Sequence, residues 1–271
     1  MSGFAPIRVA LLTSSDAPAL EPLLGDPNRG ALYDVVCVLG SGTELAQAPL
    51  LDAAKIPLVL RPIRRMVEGS LRNLRSREAY DRETAEILKS FQVDWVVLAG
   101  YPFILTEPLL ALFPDRVLAL HEGDLTLDGD DGRRRYTELH SVRRAIFAGE
   151  RETRSSLFFV TERVGEGPLF LVSRPYPVAE IAADGLAWGA YDLVNDYVKV
   201  HRDWMVRSAW GEMIAHAMGL LAAGTIRVAN DVAWVDGVPG PCRMGEAPRA
   251  CHTLKGEIRR GIPSSCPFIE S

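Results

Sequence analysis

An α/β fold, with a mostly parallel sheet flanked by helices, is what this sequence predicts, and three features predict it. Short apolar runs take turns with segments of helical period through the first half of the chain. Those runs do not alternate polar with apolar residues, so their strands are covered on both faces, as strands of parallel sheets are. Each run also stops abruptly at small or polar residues, where open α/β sheets carry their ligands.

In chain order, "IRVALLTSS" opens the pattern, "YDVVCVLGSG" repeats it, and "IPLVLRP" is a weaker third case. "SREAYDRETAEILKSF" reads as a helix: Ser76 is placed to cap it, Glu78 falls in its first turn, and Tyr80, Thr84, Ile87, Leu88 and Phe91 share a face. "VDWVVLAGY" is a strand ended by Gly100, "TEPLLALFP" a short helix with Pro108 in its first turn, and "RVLALH" the next strand. After a helix at "HSVRRAIFAGE", "SSLFFVTE" and "GPLFLVSRPYPV" read as two strands joined by "TERVGEGP". A long helix is expected from about Ala190 to Ala223, with Leu193, Val194, Tyr197, Val198, Trp204, Met205 and Ser208 at helical spacing. His201 lies on that stripe and reads as a packing histidine. "GTIRVANDVAWVDGVPGPCRMGE" suggests a hairpin turned at Asp236-Gly237, followed by an irregular tail. The division expected is an α/β domain over residues 1–225 and a hairpin-and-tail segment over 226–271.

A chain of 271 residues with 48% hydrophobic content supports one substantial core. A net charge of −5 argues against a general nucleic-acid binder. The arginines between Arg61 and Arg65 and from Arg133 to Arg135 read as solvated faces rather than polyanion sites. No apolar run is long enough to span a bilayer, and "MSGFAPIRVALL" lacks the pattern of a signal peptide, so a cytoplasmic location is expected. Cys37 sits in a strand-like run. Cys242, Cys251 and Cys266, with His252, offer donors that suit zinc, but no pair has the C-x₂₋₄-C spacing of common structural sites. Free thiols and no metal are the expectation.

Ser14 and Ser15, Gly40 to Gly42, Gly100 to Phe103, and His121 to Asp124 all stand at strand ends. The last group sets a histidine among carboxylates. Asp124 is placed either to orient the imidazole or to turn the loop through its own backbone; Asp128, Asp130 and Asp131 sit in turn dipeptides. Adjacent strand-end residues point opposite ways, which makes His121 and Glu122 poor joint metal ligands.

The segments "SREAYDRETAEIL…VDWVVLAGYPFILTEPLL", "VLALHEGDLT" and "LHSVRRAIFAGERETRSSLFFVTERVGEGPLFLVSRPYPV" resemble, in order and spacing, the folate-dependent glycinamide ribonucleotide formyltransferases. The resemblance runs over about residues 7–225. It implies a Rossmann-like formyltransferase fold and formyl transfer from 10-formyltetrahydrofolate to a small-molecule amine. It implies that His121 is the catalytic histidine and that His140 matches the substrate-loop histidine. "TSSDAP", with Ser14 and Ser15, stands where the family's glycine-rich phosphate loop runs. Pro102, Phe103, Ile104 and Leu105, with Val160, Thr161, Glu162, Val164 and Gly165, would edge the folate cleft.

The chain departs from the family pattern at several of these positions. Ala119 replaces the asparagine, Gly165 replaces the aspartate with Glu166 one residue later, Phe158 replaces a histidine, and Pro102-Phe103 replaces Met-Arg. Asp16 enters the phosphate loop, where it would repel an anion. Asp124 and Glu166 are the carboxylates left to serve catalysis beside His121. Loss of the asparagine donor alone costs on the order of 10²–10³ in rate, as single oxyanion-hole deletions do. An acceptor other than glycinamide ribonucleotide is therefore expected. Ala119 and Gly165 also fit an alternative: a formyltransferase-like protein that binds folate or a nucleotide-like ligand without turnover.

Overall fold

The structure, a computed structural model, describes residues 5–67, 70–71, 73–163 and 165–245. Its elements follow the alternation read above. β1 (Ile7–Thr13), α1 (Leu20–Leu24), β2 (Tyr33–Gly40), α2 (Ala48–Ala53), β3 (Leu58–Leu60), α3 (Ile63–Met66), α4 (Leu74–Ser90), β4 (Trp95–Leu98), α5 (Glu107–Leu112) and β5 (Val117–His121) form the first half. Then come α6 (Ser141–Phe147), β6 (Glu152–Thr153), β7 (Ser156–Phe159), β8 (Leu169–Val172), β9 (Tyr176–Pro177), α7 (Glu180–Ala187) and α8 (Tyr191–Ala222). β10 (Ile226–Ala229), β11 (Val232–Val235), β12 (Val238–Pro239) and β13 (Cys242–Arg243) close the described chain.

The described residues fall into two compact units. Of the described residues, the first draws on 5–120, 157–171 and 210–241, the second on 121–156, 172–209 and 242–245. In the first unit the strands run in the order β8-β7-β5-β4-β1-β2-β3. β3, β2, β1, β4 and β5 are mutually parallel. Val9, Ala10, Leu11 and Leu12 of β1 are almost wholly buried, as continuous apolar strands in a two-sided sheet must be. β10, β11 and β12 form a separate antiparallel meander. Its second turn is the expected Asp236-Gly237. Its first turn, at Asn230-Asp231 with both residues at positive φ, was not read from the sequence.

Three local expectations are corrected. Helix α4 begins at Leu74, so Ser76 is not its cap; the Asn73 side chain accepts from the Ser76 N–H at 3.3 Å instead. Arg61 is not solvated: it is buried, donates to the Tyr80 carbonyl (3.2 Å) and Glu83 (3.0 Å), and lies over the Tyr80 ring. Arg77 and Asp81 join the buried face of α4, where Tyr80, Thr84, Ile87, Leu88 and Phe91 were expected. Cys37 is buried, which pushes its thiol pKa up to about 12, and Cys242 is a free thiol. Cys251, His252 and Cys266 lie outside the described residues. Among the described residues no cluster of three metal-ligating side chains occurs, and no helix is long and apolar enough to cross a membrane.

Candidate functional site

Strand order in the first unit reverses between β1 and β4, the point at which such sheets open a crevice at their carboxyl ends. Ser14 and Ser15 follow β1 there. They line a recess of about 400 Å³ with Thr43, Arg64, Arg65 and Phe103. Hydroxyls and guanidinium groups make it a place for an anion. Asp16 is drawn off by Gln47: its Oδ1 accepts from Gln47 Nε2 at 2.5 Å, while Gln47 Oε1 accepts from the Ala17 N–H at 2.8 Å. The repulsion expected of Asp16 is thus tempered by a neutral partner. No helix N-terminus adjoins Ser14 and Ser15, because α1 starts only at Leu20.

The segment after β4 turns at Gly100, whose φ of +86° suits a residue without a Cβ. Pro102 and Phe103 line the anion recess. Phe103, Ile104 and Pro102 also line a second recess, of about 290 Å³, together with Arg77 and Thr106. Buried charges tie this segment to α4. Asp81 Oδ2 accepts from both the N–H and the hydroxyl of Thr106 at 2.7 Å, and Arg77 donates to the Ile104 carbonyl. Burial pushes the Asp81 pKa up, against the Thr106 hydrogen bonds that hold it down. Leu105 is buried and Ile104 is exposed. On the other loop, Val160 N–H donates to the Val117 carbonyl at 2.8 Å and the Thr161 hydroxyl to the Arg163 carbonyl at 3.3 Å. Glu162 and Glu166 are exposed, and Gly165 has a left-handed φ of +72°. Val164 lies outside the described residues.

The second unit carries His121, two residues beyond Ala119, the register partner of Leu98 in β4. The His121 ring is partly buried, and its Nε2 lies 2.6 Å from the Tyr136 carbonyl. A carbonyl only accepts, so Nε2 carries the proton and, in the neutral ring, Nδ1 carries the lone pair. Burial pushes the pKa below the usual 6.5; the Tyr136 carbonyl and the charge of Glu122 act the other way. Tyr136 reaches the ring from fifteen residues away by adopting φ +60°. Nothing in the local sequence signals that contact.

Asp124 turns the loop rather than the imidazole. Its Oδ1 accepts from the Thr126 N–H (2.9 Å) and hydroxyl (2.5 Å), and its Oδ2 lies 3.5 Å from Arg154 Nε. Ser156 donates to the Gly123 carbonyl and accepts from the Leu125 N–H, fastening the same loop. Glu122 pairs with Arg202 of α8. His140 is exposed, with φ +63°, at the residue before α6. His140 and Glu122 line a recess of about 620 Å³ in this unit. His201, by contrast, is fully buried among Thr153, Tyr197 and Trp204.

A model of the formyl transferase family matches residues 7–184. The chain is 27% identical over 162 residues to the phosphoribosylglycinamide formyltransferase of Escherichia coli (strain K12), covering 60% of this chain and 65% of that protein. It is also 27% identical over 165 residues to the formyltetrahydrofolate deformylase of the same strain, covering 60% of this chain and 52% of that protein. The chain thus spans less than two thirds of either relative. Among solved structures, the glycinamide ribonucleotide transformylase 1 of Symbiobacterium toebii superposes with a TM-score of 0.68 at 23% identity, covering 87% of this chain and 99% of that one.

Proposed function

We propose, from the premise that this chain belongs to the formyl transferase family, that it passes a formyl group from 10-formyltetrahydrofolate to a small-molecule amine other than glycinamide ribonucleotide. The observation that carries this reading is the His121 ring, held at the carboxyl end of β5 with Nε2 committed to the Tyr136 carbonyl. In the proposed step the amine nitrogen attacks the formyl carbon and a C–N bond forms. Nδ1 of neutral His121 takes the proton that the nitrogen sheds. The tetrahedral intermediate then collapses, the bond to folate N10 breaks, and N10 receives that proton. A formamide and tetrahydrofolate result, with no change of oxidation state. The transient imidazolium is favoured by the Tyr136 carbonyl and by Glu122, the same two influences that oppose burial in its pKa.

Pro102 to Leu105 and Val160 to Gly165 are the residues proposed to hold the folate. Ser14, Ser15 and His140 are proposed for the acceptor, and Glu166 as the auxiliary carboxylate. Asp124 is proposed to position the loop through Thr126 and Arg154. The exclusion of glycinamide ribonucleotide rests on the segment Thr13 to Ala19, which has no glycine to let a phosphate approach the backbone closely. A second reading, folate binding without turnover, is favoured by Ala119 and Gly165.

Calorimetry with 10-formyltetrahydrofolate separates these readings from failure of both. Saturable binding is expected, with consumption that depends on an added amine. Binding without consumption, in water or with any amine, selects the second reading. No heat and no thermal shift at millimolar ligand overturns both. Ala119→Asn is expected to raise turnover about tenfold by restoring a donor to the developing oxyanion.

A further inference from the structure

We infer that the 620 Å³ recess of the second unit is a binding site for a compact zwitterion, an amino-acid-like ligand carrying one carboxylate and one ammonium group. Several of its wall charges are met within the protein: Glu122 pairs with Arg202, and Lys199 with Asp196 at 2.8 Å, with Asp192 adding a weaker attraction to Lys199. Arg143 and Asp192, one cation and one anion on α6 and α8, stand outside these close ion pairs. Arg143 is exposed yet held in place. Its Nε donates to Asn195 Oδ1 at 2.8 Å, and its guanidinium lies 4.1 Å over the Phe147 ring, which itself stacks on Tyr191. A guanidinium fixed on one edge presents its other N–H groups as a preorganised fork for a carboxylate. Asp192 follows Tyr191 in the first turn of α8 and supplies the complementary charge for an ammonium. Buried Val142 and Val198 give the recess an apolar lining for the aliphatic part of such a ligand.

The ligand is either consumed as the formyl acceptor or held as an effector; both use the same recognition, and only the first rests on the reading above. The test is titration calorimetry of the full chain with a panel of free amino acids, their methyl esters and their N-acetyl derivatives. At least one free amino acid is expected to bind saturably, with both blocked forms at least tenfold weaker. Arg143→Gln and Asp192→Asn should each weaken it at least tenfold, with unfolding midpoints and the affinity for 10-formyltetrahydrofolate unchanged. Consumption of the bound amino acid with formyl donor marks an acceptor, and its absence marks an effector. Blocked forms that bind equally well, variants that bind like the parent, or no binding by any free amino acid overturns the site. Folate binding is read in a separate titration, so its failure leaves this inference standing.

Discussion

Two histidines of the second unit, His121 and His201, share an electrostatic fate but not a hydrogen-bonding one. Burial pushes both toward the neutral ring, His201 down to about 4. At His201 both nitrogens are spent. The Ala179 N–H donates to the Tyr197 hydroxyl, which in turn donates to Nδ1, while Nε2–H donates to Thr153, whose hydroxyl faces Met205 sulfur. That chain fixes one tautomer and leaves no place for a substrate proton. At His121, among the described residues, the hydrogen bond to the ring is at Nε2 alone. A lowered pKa therefore does not separate a reactive histidine from a packing one. Counting what each ring nitrogen already does separates them.

The largest expected effect breaks the pair apart. His121→Asn should lower formyl transfer by roughly 10²–10⁴, the worth of a positioned acid–base group. Its stability should fall by only about 1 kcal/mol, one hydrogen bond. His201→Leu should do the reverse. It removes one hydrogen bond from each of the Thr153 and Tyr197 hydroxyls, which keep Met205 and Ala179, at a cost of about 1–3 kcal/mol for the two, and leaves turnover per folded molecule intact. Urea unfolding and initial rates on both variants check this. If His121→Asn unfolds the protein while His201→Leu abolishes transfer, the assignments must be exchanged.

Acidification sharpens the comparison next. Between the unfolded-state pKa of 6.5 and the folded value of about 4, an unfolded chain binds a proton at His201 that the folded chain refuses. The unfolded state then binds more protons, so stability rises with pH across this window and falls as pH drops from 6.5 toward 4. The ceiling for this group is about 3 kcal/mol. His121 contributes in the same direction. In activity it should give an acid limb whose midpoint lies below 6.5, with the rate held above it. Urea midpoints from pH 7 to 4 on the parent and on His201→Leu read the first effect: the variant's slope should be shallower. An equal slope would mean that other groups carry the acid sensitivity.

How much of this was legible in the sequence follows from how local each signal is. The strands of the parallel part of the sheet could be read because each carries an apolar run, and His121 because it stands where one such run ends; the two-residue strands β6, β12 and β13 carry no such run. Tyr136 could not, since its role comes from a left-handed backbone and a contact closed across the loop. Arg77 and Asp81 of α4 carry no local mark of burial. They are buried because Thr106 and the Ile104 carbonyl, on a different segment, meet Asp81 Oδ2 and one Arg77 N–H, although Asp81 Oδ1 and Arg77 Nε stay without a hydrogen-bond partner. Asn73 outcompeted Ser76 as a cap only because the helix starts a half-turn earlier than its apolar period suggests. Arg143 and Asp192 sit on two helices whose meeting no periodicity encodes.

The smallest expected effect tests what holds His121 in its unsaturated state. Gly123 lies between the two partners of the hydrogen bond: a Cβ built there would come 2.7 Å from the Tyr136 oxygen, 2.9 Å from Ser141 Cβ and 3.0 Å from His121 Nε2. Its φ is not left-handed, so the requirement for glycine is one of space and not of backbone freedom. Two of those three neighbours are backbone or a buried Cβ, which cannot swing away as a long side chain would. Gly123→Ala should therefore push the Tyr136 carbonyl off the ring and cost about 1–3 kcal/mol, the usual range for overpacking. Freed of its acceptor, Nε2 no longer fixes the tautomer, so the rate should fall together with stability. In an ¹⁵N-labelled sample the His121 ring signals should move toward a mixture of tautomers while those of His201 stay where they are. Unchanged His121 signals with a normal rate would mean that the Tyr136 carbonyl does not set the tautomer, and the distinction between the two histidines would then have to rest on solvent access alone.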